Sequence, residues 1–204
     1  MIYEVRTYRL KPGTLPECEK RFAEALPNRE PFSSLGAFWH TEIGPLNQII
    51  HVWPYQSLQH RTNARSQAVQ SGKWPPPIGK FIEHMESEIF LPAACMDPLG
   101  KRQLGPIYEI RTYMFRPGSL PTVLEQWAKS IPQRTQLSPL AACWYSDLGE
   151  LNKFVHIWPY TSLEERGRIR EEAAQLSDWP PTIRESLISQ ESKIVLPASF
   201  SPMQ

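Results

Sequence analysis

The stretch His51-Val52-Trp53-Pro54-Tyr55 returns as His156-Ile157-Trp158-Pro159-Tyr160, an offset of 105 residues (156 − 51). Nothing else in the 204-residue chain limits its fold so sharply. Residues 2–93 lie on 107–198 without a gap, and 40 of the 92 aligned pairs are identical. The identities come in blocks. Ile2-Tyr3-Glu4 and Arg6-Thr7-Tyr8 match Ile107-Tyr108-Glu109 and Arg111-Thr112-Tyr113, and Pro12-Gly13 matches Pro117-Gly118. Further on, Leu46-Asn47, Trp74-Pro75-Pro76 and Leu91-Pro92-Ala93 recur as Leu151-Asn152, Trp179-Pro180-Pro181 and Leu196-Pro197-Ala198. The chain is one fold written twice. It divides into a first repeat (1–93), a linker (94–106) carrying Pro98, Gly100, Gly105 and Pro106, and a second repeat with a tail (107–204). Two copies are too few for a solenoid, which needs three or more. They point to a pseudo-dimer.

One copy can be read in order. Tyr3–Leu10 has the β-branched and aromatic content of a strand, and Pro12-Gly13 ends it in a turn. Thr14-x-x-Glu17 predicts a capping box. Behind it Leu15, Cys18, Phe22 and Leu26 form one helical stripe that Pro27 and Pro31 stop. Leu35–Ile43 and Gln48–Tyr55 read as a hairpin around Gly44-Pro45-Leu46-Asn47. Ser57 caps a second helix, rich in Gln and Arg; its counterpart is the fuller box Ser162-x-x-Glu165. Trp74-Pro75-Pro76-Pro77 breaks that helix, a shorter helical piece follows, and Glu86–Leu91 is the fourth strand. The order β-α-β-β-α-β is the ferredoxin-like split βαβ unit, so the fold class is α+β. Such a unit leaves one sheet face bare, and a bare apolar face must be buried. Either the two repeats close their faces into a barrel with helices outside, or each pairs with a second chain. The sequence leaves both open.

Charge and composition exclude several classes. A formal net charge of +1 offers no electrostatic reason for a nucleic-acid or anionic-membrane partner. No apolar run approaches the ~18 residues of a membrane span. The chain opens directly into a strand pattern, which predicts no signal or transit peptide in this numbering and a cytoplasmic protein, or a mitochondrial-matrix one if a presequence was removed. Cys18, Cys95 and Cys143 are odd in number and lack a Cys-x-x-Cys spacing, which suits buried thiols rather than disulfides or zinc. The five histidines show no metal-ligand spacing, and nucleotide-loop and serine-elbow motifs are absent. No metal and no cofactor are expected, haem on His51 or His156 being the one cofactor alternative.

Tyr-Glu-x-Arg-Thr-Tyr on the first strand, the Gly-x-Leu-Asn turn after a Trp-bearing strand, and His-x-Trp-x-Tyr on the third resemble the NIPSNAP family, twice and in order. The closing Ser199-Phe200-Ser201-Pro202 is similar to the tail of tandem members. The resemblance implies the dimeric α/β-barrel superfamily, here two ferredoxin-like repeats as a pseudo-dimer, and a homo-oligomer is expected. It implies little mechanism. Animal members are tied to mitochondria, mitophagy signalling and vesicle transport, and relatives sharing only the barrel include monooxygenases, cyclases, isomerases and haem enzymes.

Alternation puts Glu4, Arg6 and Tyr8 on one strand face, and Tyr3, Val5 and Thr7 on the other. The second set reads as the helix-facing one. Glu4, Arg6, Tyr8 and their copies Glu109, Arg111 and Tyr113 would then face the barrel interior. His51 shares a face with Trp53, and His156 with Trp158; the second strand adds Trp39 or His40, and Trp144 or Tyr145. These predict an interior small-molecule pocket. Arg6 or Arg111 would hold an anionic or carbonyl oxygen. His51 or His156 would move protons. Glu4, Tyr8, Trp39, Trp53, Glu109, Tyr113, Trp144 and Trp158 would line the site. The structural reading stands beside this: Glu4 with Arg6 can be a buried ion pair between repeats, and His51 and His156 satisfied core residues. The expected function is therefore a ligand-binding barrel; the sequence leaves open whether it is an enzyme, cofactor-independent isomerisation, cyclisation or oxygenation being the chemistry if it is one. The alternative is a non-enzymatic adaptor of the NIPSNAP type. A void of ~300 Å³ or more separates the two.

Overall fold

A computed structural model describes all residues, 1–204. The first copy runs β1 (Ile2–Leu10), α1 (Leu15–Ala25), β2 (Ala37–Ile43), β3 (Gln48–Tyr55), α2 (Leu58–Gln70) and β4 (Ile82–Pro92). The second runs β5 (Ile107–Phe115), α3 (Leu120–Arg134), β6 (Ala142–Leu148), β7 (Lys153–Tyr160), α4 (Leu163–Ala173) and β8 (Leu187–Pro197). The short helical piece before β4 is a 3-10 turn, Gly79–Phe81, and β4 begins four residues earlier than its sequence suggests (82 against 86).

Ser57 Oγ accepts from the His60 N–H at 3.1 Å at the start of α2, and Ser162 Oγ accepts from the Glu165 N–H at 3.1 Å at the start of α4. The Glu165 carboxylate reaches back to the Thr161 N–H at 2.6 Å, completing a variant of the box. The box predicted at Thr14 does not form. Thr14 has helical backbone angles, and its hydroxyl donates to the Lys11 carbonyl at 2.7 Å.

The eight strands close into a barrel in the order β1-β3-β2-β8-β5-β7-β6-β4, all neighbours antiparallel. The repeats therefore pair within one chain, along two seams. At one, β2 meets β8 (Trp39 opposite Pro197); at the other, β4 meets β6 (Pro92 opposite Trp144).

The lumen is apolar and holds residues from both repeats: Tyr3, Trp39, Ile50, Val52 and Phe90 with Tyr108, Ile110, Trp144, Val155 and Ile157. Aromatic pairs cross between the halves, Tyr3 with Trp144 at 5.5 Å and Trp39 with Tyr108 at 5.4 Å between ring centroids. Each such buried side chain contributes about 1.5–3 kcal/mol. The linker and tail close one end. Leu99, Leu104 and Met203 pack on the lumen core, and Arg102 exchanges backbone hydrogen bonds with Pro202 (3.1 Å) and Gln204 (2.9 Å). Near the other end, Lys153 pairs with Glu88 across the halves at 2.6 Å, and Lys193 reaches Gln48 at 3.5 Å.

This arrangement corrects the face assignment. Tyr3, Val5, Ile50 and Val52 look into the lumen, whereas Tyr8, Ile49, Trp53 and Tyr55 belong to the cluster under the helices. Glu4, Arg6, Tyr8, His51 and Trp53, with Glu109, Arg111, Tyr113, His156 and Trp158, therefore lie between sheet and helices rather than in the barrel. The reason is chemical. The two lysines at the lumen, Lys153 and Lys193, are engaged by Glu88 and Gln48, while α2 carries Arg61 and Arg65 on the turn that covers Glu4.

Candidate functional site

Each repeat holds a pocket between the outer face of its sheet and its helices. The first, of about 320 Å³, is lined by Arg6, Tyr8, Phe22, Arg29, His51, Trp53, Tyr55, Arg65 and the Trp74-Pro75-Pro76 segment, among others. The second, of about 350 Å³, uses the equivalent Arg111, Tyr113, Trp127, Arg134, His156, Trp158, Tyr160, Arg170 and Trp179-Pro180-Pro181, with Glu109. The void left in the barrel lumen is smaller, about 170 Å³. Trp39 and Trp144, expected in the same site as the histidines, fill the lumen and take no part in either helix-side pocket.

The floor of each pocket is the alternate-residue row of β1 or β5. Glu4 is fully buried, and its Oε1 accepts from Arg6 Nη1, Arg61 Nη2 and Ser87 Oγ, each at 2.7 Å, with Arg65 Nη1 at 3.4 Å. Glu109 repeats the pattern with Arg111 (3.1 Å), Arg166 (2.7 Å) and Ser192 (2.6 Å), and Arg170 at 3.8 Å. Burial opposes ionisation of both carboxyls. The hydrogen bonds from Arg61 and Arg166, reinforced by the remaining partners, outweigh it and hold each at about 2. The buried-pair reading is thus correct in kind, but the partners come from the same repeat, Arg6 and Ser87 on its strands and Arg61 and Arg65 on its helix, and not across the barrel. Arg6 Nε also donates to Tyr8 Oη at 2.7 Å, and Arg111 Nε to Tyr113 Oη at 2.9 Å.

The wall is the His-x-Trp pair. Trp53 Nε1 donates to His51 Nδ1 at 2.6 Å, and Trp158 Nε1 donates to His156 Nδ1 at 2.6 Å. Rings surround His51: Tyr8 edge-on at 4.8 Å, Phe22 at 5.1 Å and Phe38 stacked at 5.7 Å. Burial, with the Arg6 charge adding to it, pushes His51 down to about 3; burial and Arg111 likewise hold His156 far below its ordinary value. Both imidazoles are neutral at pH 7. With Nδ1 accepting, the single proton sits on Nε2, which is buried and has no partner in the protein. The proton-moving role expected of His51 and His156 would need each ring to give up its indole hydrogen bond. Each ring lines its pocket, and its single proton is a donor on Nε2.

Sequence reasoning missed Arg29 and Arg134. Arg29 follows α1 and stacks over Trp53 (5.0 Å) and Trp74 (5.9 Å), donating to Tyr55 Oη at 2.8 Å. Arg134 ends α3 over Trp158 (4.1 Å) and Trp179 (5.9 Å). The signal was available: both arginines are identical between repeats inside a region where few neighbours are. Chemically, each pocket donates hydrogen bonds and positive charge to an apolar, aromatic cavity. Its carboxylates, Glu4 and Glu109, are held ionised by arginines at about 2, which makes them weak bases.

A closed eight-stranded barrel of two βαββαβ halves, helices outside, defines a fused version of the dimeric α/β barrel. The NIPSNAP family model matches residues 3–96 and again 108–202, and the chain belongs to that family. It is 32% identical over 206 residues to Protein NipSnap homolog of Dictyostelium discoideum, covering 98% of this chain and 88% of that one. It is 27% identical over 215 residues to Protein NipSnap homolog 3A of Homo sapiens, covering 100% and 86%. Among solved structures, a candidate monooxygenase of Fusobacterium nucleatum superposes with a TM-score of 0.73 over 97% of this chain and 92% of its own, at 14% identity. That last likeness is one of fold. No helix is long and apolar enough to cross a membrane.

Proposed function

We propose that the protein binds a small organic ligand in the two pockets between sheet and helices, not in the barrel lumen, and that His51 and His156 donate to an oxygen of that ligand. The unpartnered Nε2–H of each histidine carries this reading. His51 and His156 line cavities of this size, and a ligand oxygen taking the place of water can accept from the imidazole N–H. A fixed donor beside a guanidinium stabilises an oxygen as it gains negative charge, as in an enolate or phenolate. Cofactor-independent isomerisation, cyclisation or oxygenation all pass through such an oxyanion, with the base supplied by water or by the ligand itself. The name of the Fusobacterium neighbour, a candidate monooxygenase, agrees with the last of these.

The test is native mass spectrometry on protein purified gently from its own host, with an absorbance scan. A small adduct present in the wild type, and lost when His51→Phe and His156→Phe are combined, supports the reading. A clean apo mass that also shows no ligand uptake from a cell extract gives the weight to the adaptor, whose surface does the work.

A further inference from the structure

Arg29 is 2% exposed, yet no carboxylate lies within 4 Å of its guanidinium. The nearest acid of the pocket, Glu4, is already shared among Arg6, Arg61 and Arg65. One terminal nitrogen of Arg29 is held by Tyr55; the other, Nη1, is buried and has no hydrogen-bond partner. The equivalent position in the second repeat differs in one contact. There Arg134 Nη1 donates to Ser138 Oγ at 2.7 Å. Ser33, the counterpart of Ser138 (33 + 105), leaves its own hydroxyl unpartnered and Arg29 free. Three guanidiniums (Arg6, Arg29, Arg65) line this pocket and no carboxylate does; Arg6 and Arg65 share Glu4 beneath it. A desolvated, unneutralised cation is costly unless a counter-charge arrives. The rest of the wall is flat and apolar: Phe22, Trp53, Trp74 and Ile78.

We propose that the first-repeat pocket is a site for a flat organic anion, an aromatic or conjugated carboxylate, whose charged end takes Arg29 Nη1 and whose body lies on the tryptophans. This rests on the reading that the cavity holds a ligand, and it adds the charge class. The second-repeat pocket, with Ser138 occupying the matching nitrogen, takes the same anion more weakly. A charge-assisted hydrogen bond from Arg29 Nη1 favours such a ligand over a neutral one of equal shape.

The experiment titrates the full chain with benzoate and with benzamide, its neutral counterpart, following tryptophan fluorescence, since Trp53 and Trp74 line the pocket. The expected result is benzoate binding at least tenfold tighter than benzamide, a gap of about 1.4 kcal/mol. Arg29→Gln removes that preference, and Arg134→Gln changes it less. Arg65→Gln, at a partly exposed position on the pocket rim, leaves the core stack in place and weakens benzoate several-fold; it serves if Arg29→Gln does not fold. Equal binding of the two probes overturns the anion assignment while leaving the ligand pocket standing. Benzoate binding that neither Arg29→Gln nor Arg65→Gln alters also overturns it. So does the absence of any binding, while the native-mass adduct independently judges the pocket itself.

Discussion

Glu4 is the residue on which the first-repeat pocket floor depends, and its environment makes its removal expensive. Three arginines converge on one of its oxygens. Glu4→Gln leaves them facing one another without a counter-charge, and loss of one partner from a buried ion pair costs about 3–5 kcal/mol. Urea denaturation should show that loss, and Glu109→Gln should show a similar one. Acid acts on the same groups and on the histidines. The unfolded chain protonates its histidines below about pH 6.5, whereas folded His51 resists down to about 3, so stability falls with pH across that window. Glu4 and Glu109 ionise at about 2 when folded and near 4.5 otherwise; their contribution is complete above 4.5 and is lost as pH falls towards 2. The predicted profile declines from pH 6.5 and steepens below 4.5. His51→Phe with His156→Phe removes the first limb and keeps the second, as thermal melts across pH would reveal.

At the scale of single elements, much was legible, and the failures are instructive. The Leu-Asn identity in both hairpins follows from backbone geometry: Asn47 and Asn152 sit at φ 57° and 59°, and their carbonyls accept from the Leu10 and Phe115 N–H groups at 2.7 and 3.0 Å. Asparagine tolerates this left-handed region; alanine pays about 1–2 kcal/mol. Asn47→Ala should lower the denaturation midpoint accordingly, and Asn47→Gly should be close to neutral. The order of elements along the chain, both hairpins and the Ser57 and Ser162 caps could be read from pattern; whether the two repeats pair within one chain could not. The direction of the strand faces could not. Period-two alternation says that Glu4, Arg6 and Tyr8 share a face, as do Tyr3 and Val5, but both sets are part aromatic and neither announces what covers it. The deciding signal lay elsewhere, in α2. Its inward stripe is Arg61-Ala64-Arg65-Ala68, in which the two alanines are buried and the two arginines reach Glu4. A helix with so little apolar surface covers a charged strand face. The Thr14 box failed for a similar local reason: the preceding turn claims the hydroxyl first.

For the whole molecule, barrel closure is carried by the two seams and the lumen, and the repeats have diverged along both. Glu88 and Lys193 occupy equivalent positions (88 + 105), as do Gln48 and Lys153 (48 + 105). In the fused barrel Lys153 meets Glu88, and Lys193 meets Gln48. A barrel of two first repeats would set Glu88 against Gln48, with no cation. A barrel of two second repeats would set Lys193 against Lys153, with like charges opposed. Separate chains of residues 1–100 and 101–204, mixed in equal amounts, should therefore form a 1:1 pair in preference to either homodimer, by native mass spectrometry. Each half alone exposes its lumen face, Tyr3, Trp39 and Val52 in the first, and should self-associate weakly or aggregate.

The exchange of one acid for one lysine has a consequence for stoichiometry. In a symmetric pair either copy would fit itself. With Glu88 and Lys193 different, neither copy is its own best mate, and fusion in one chain keeps the two unlike halves in equal number. The two pockets need not stay identical, and their linings differ at Phe22 against Trp127 and Met85 against Gln190.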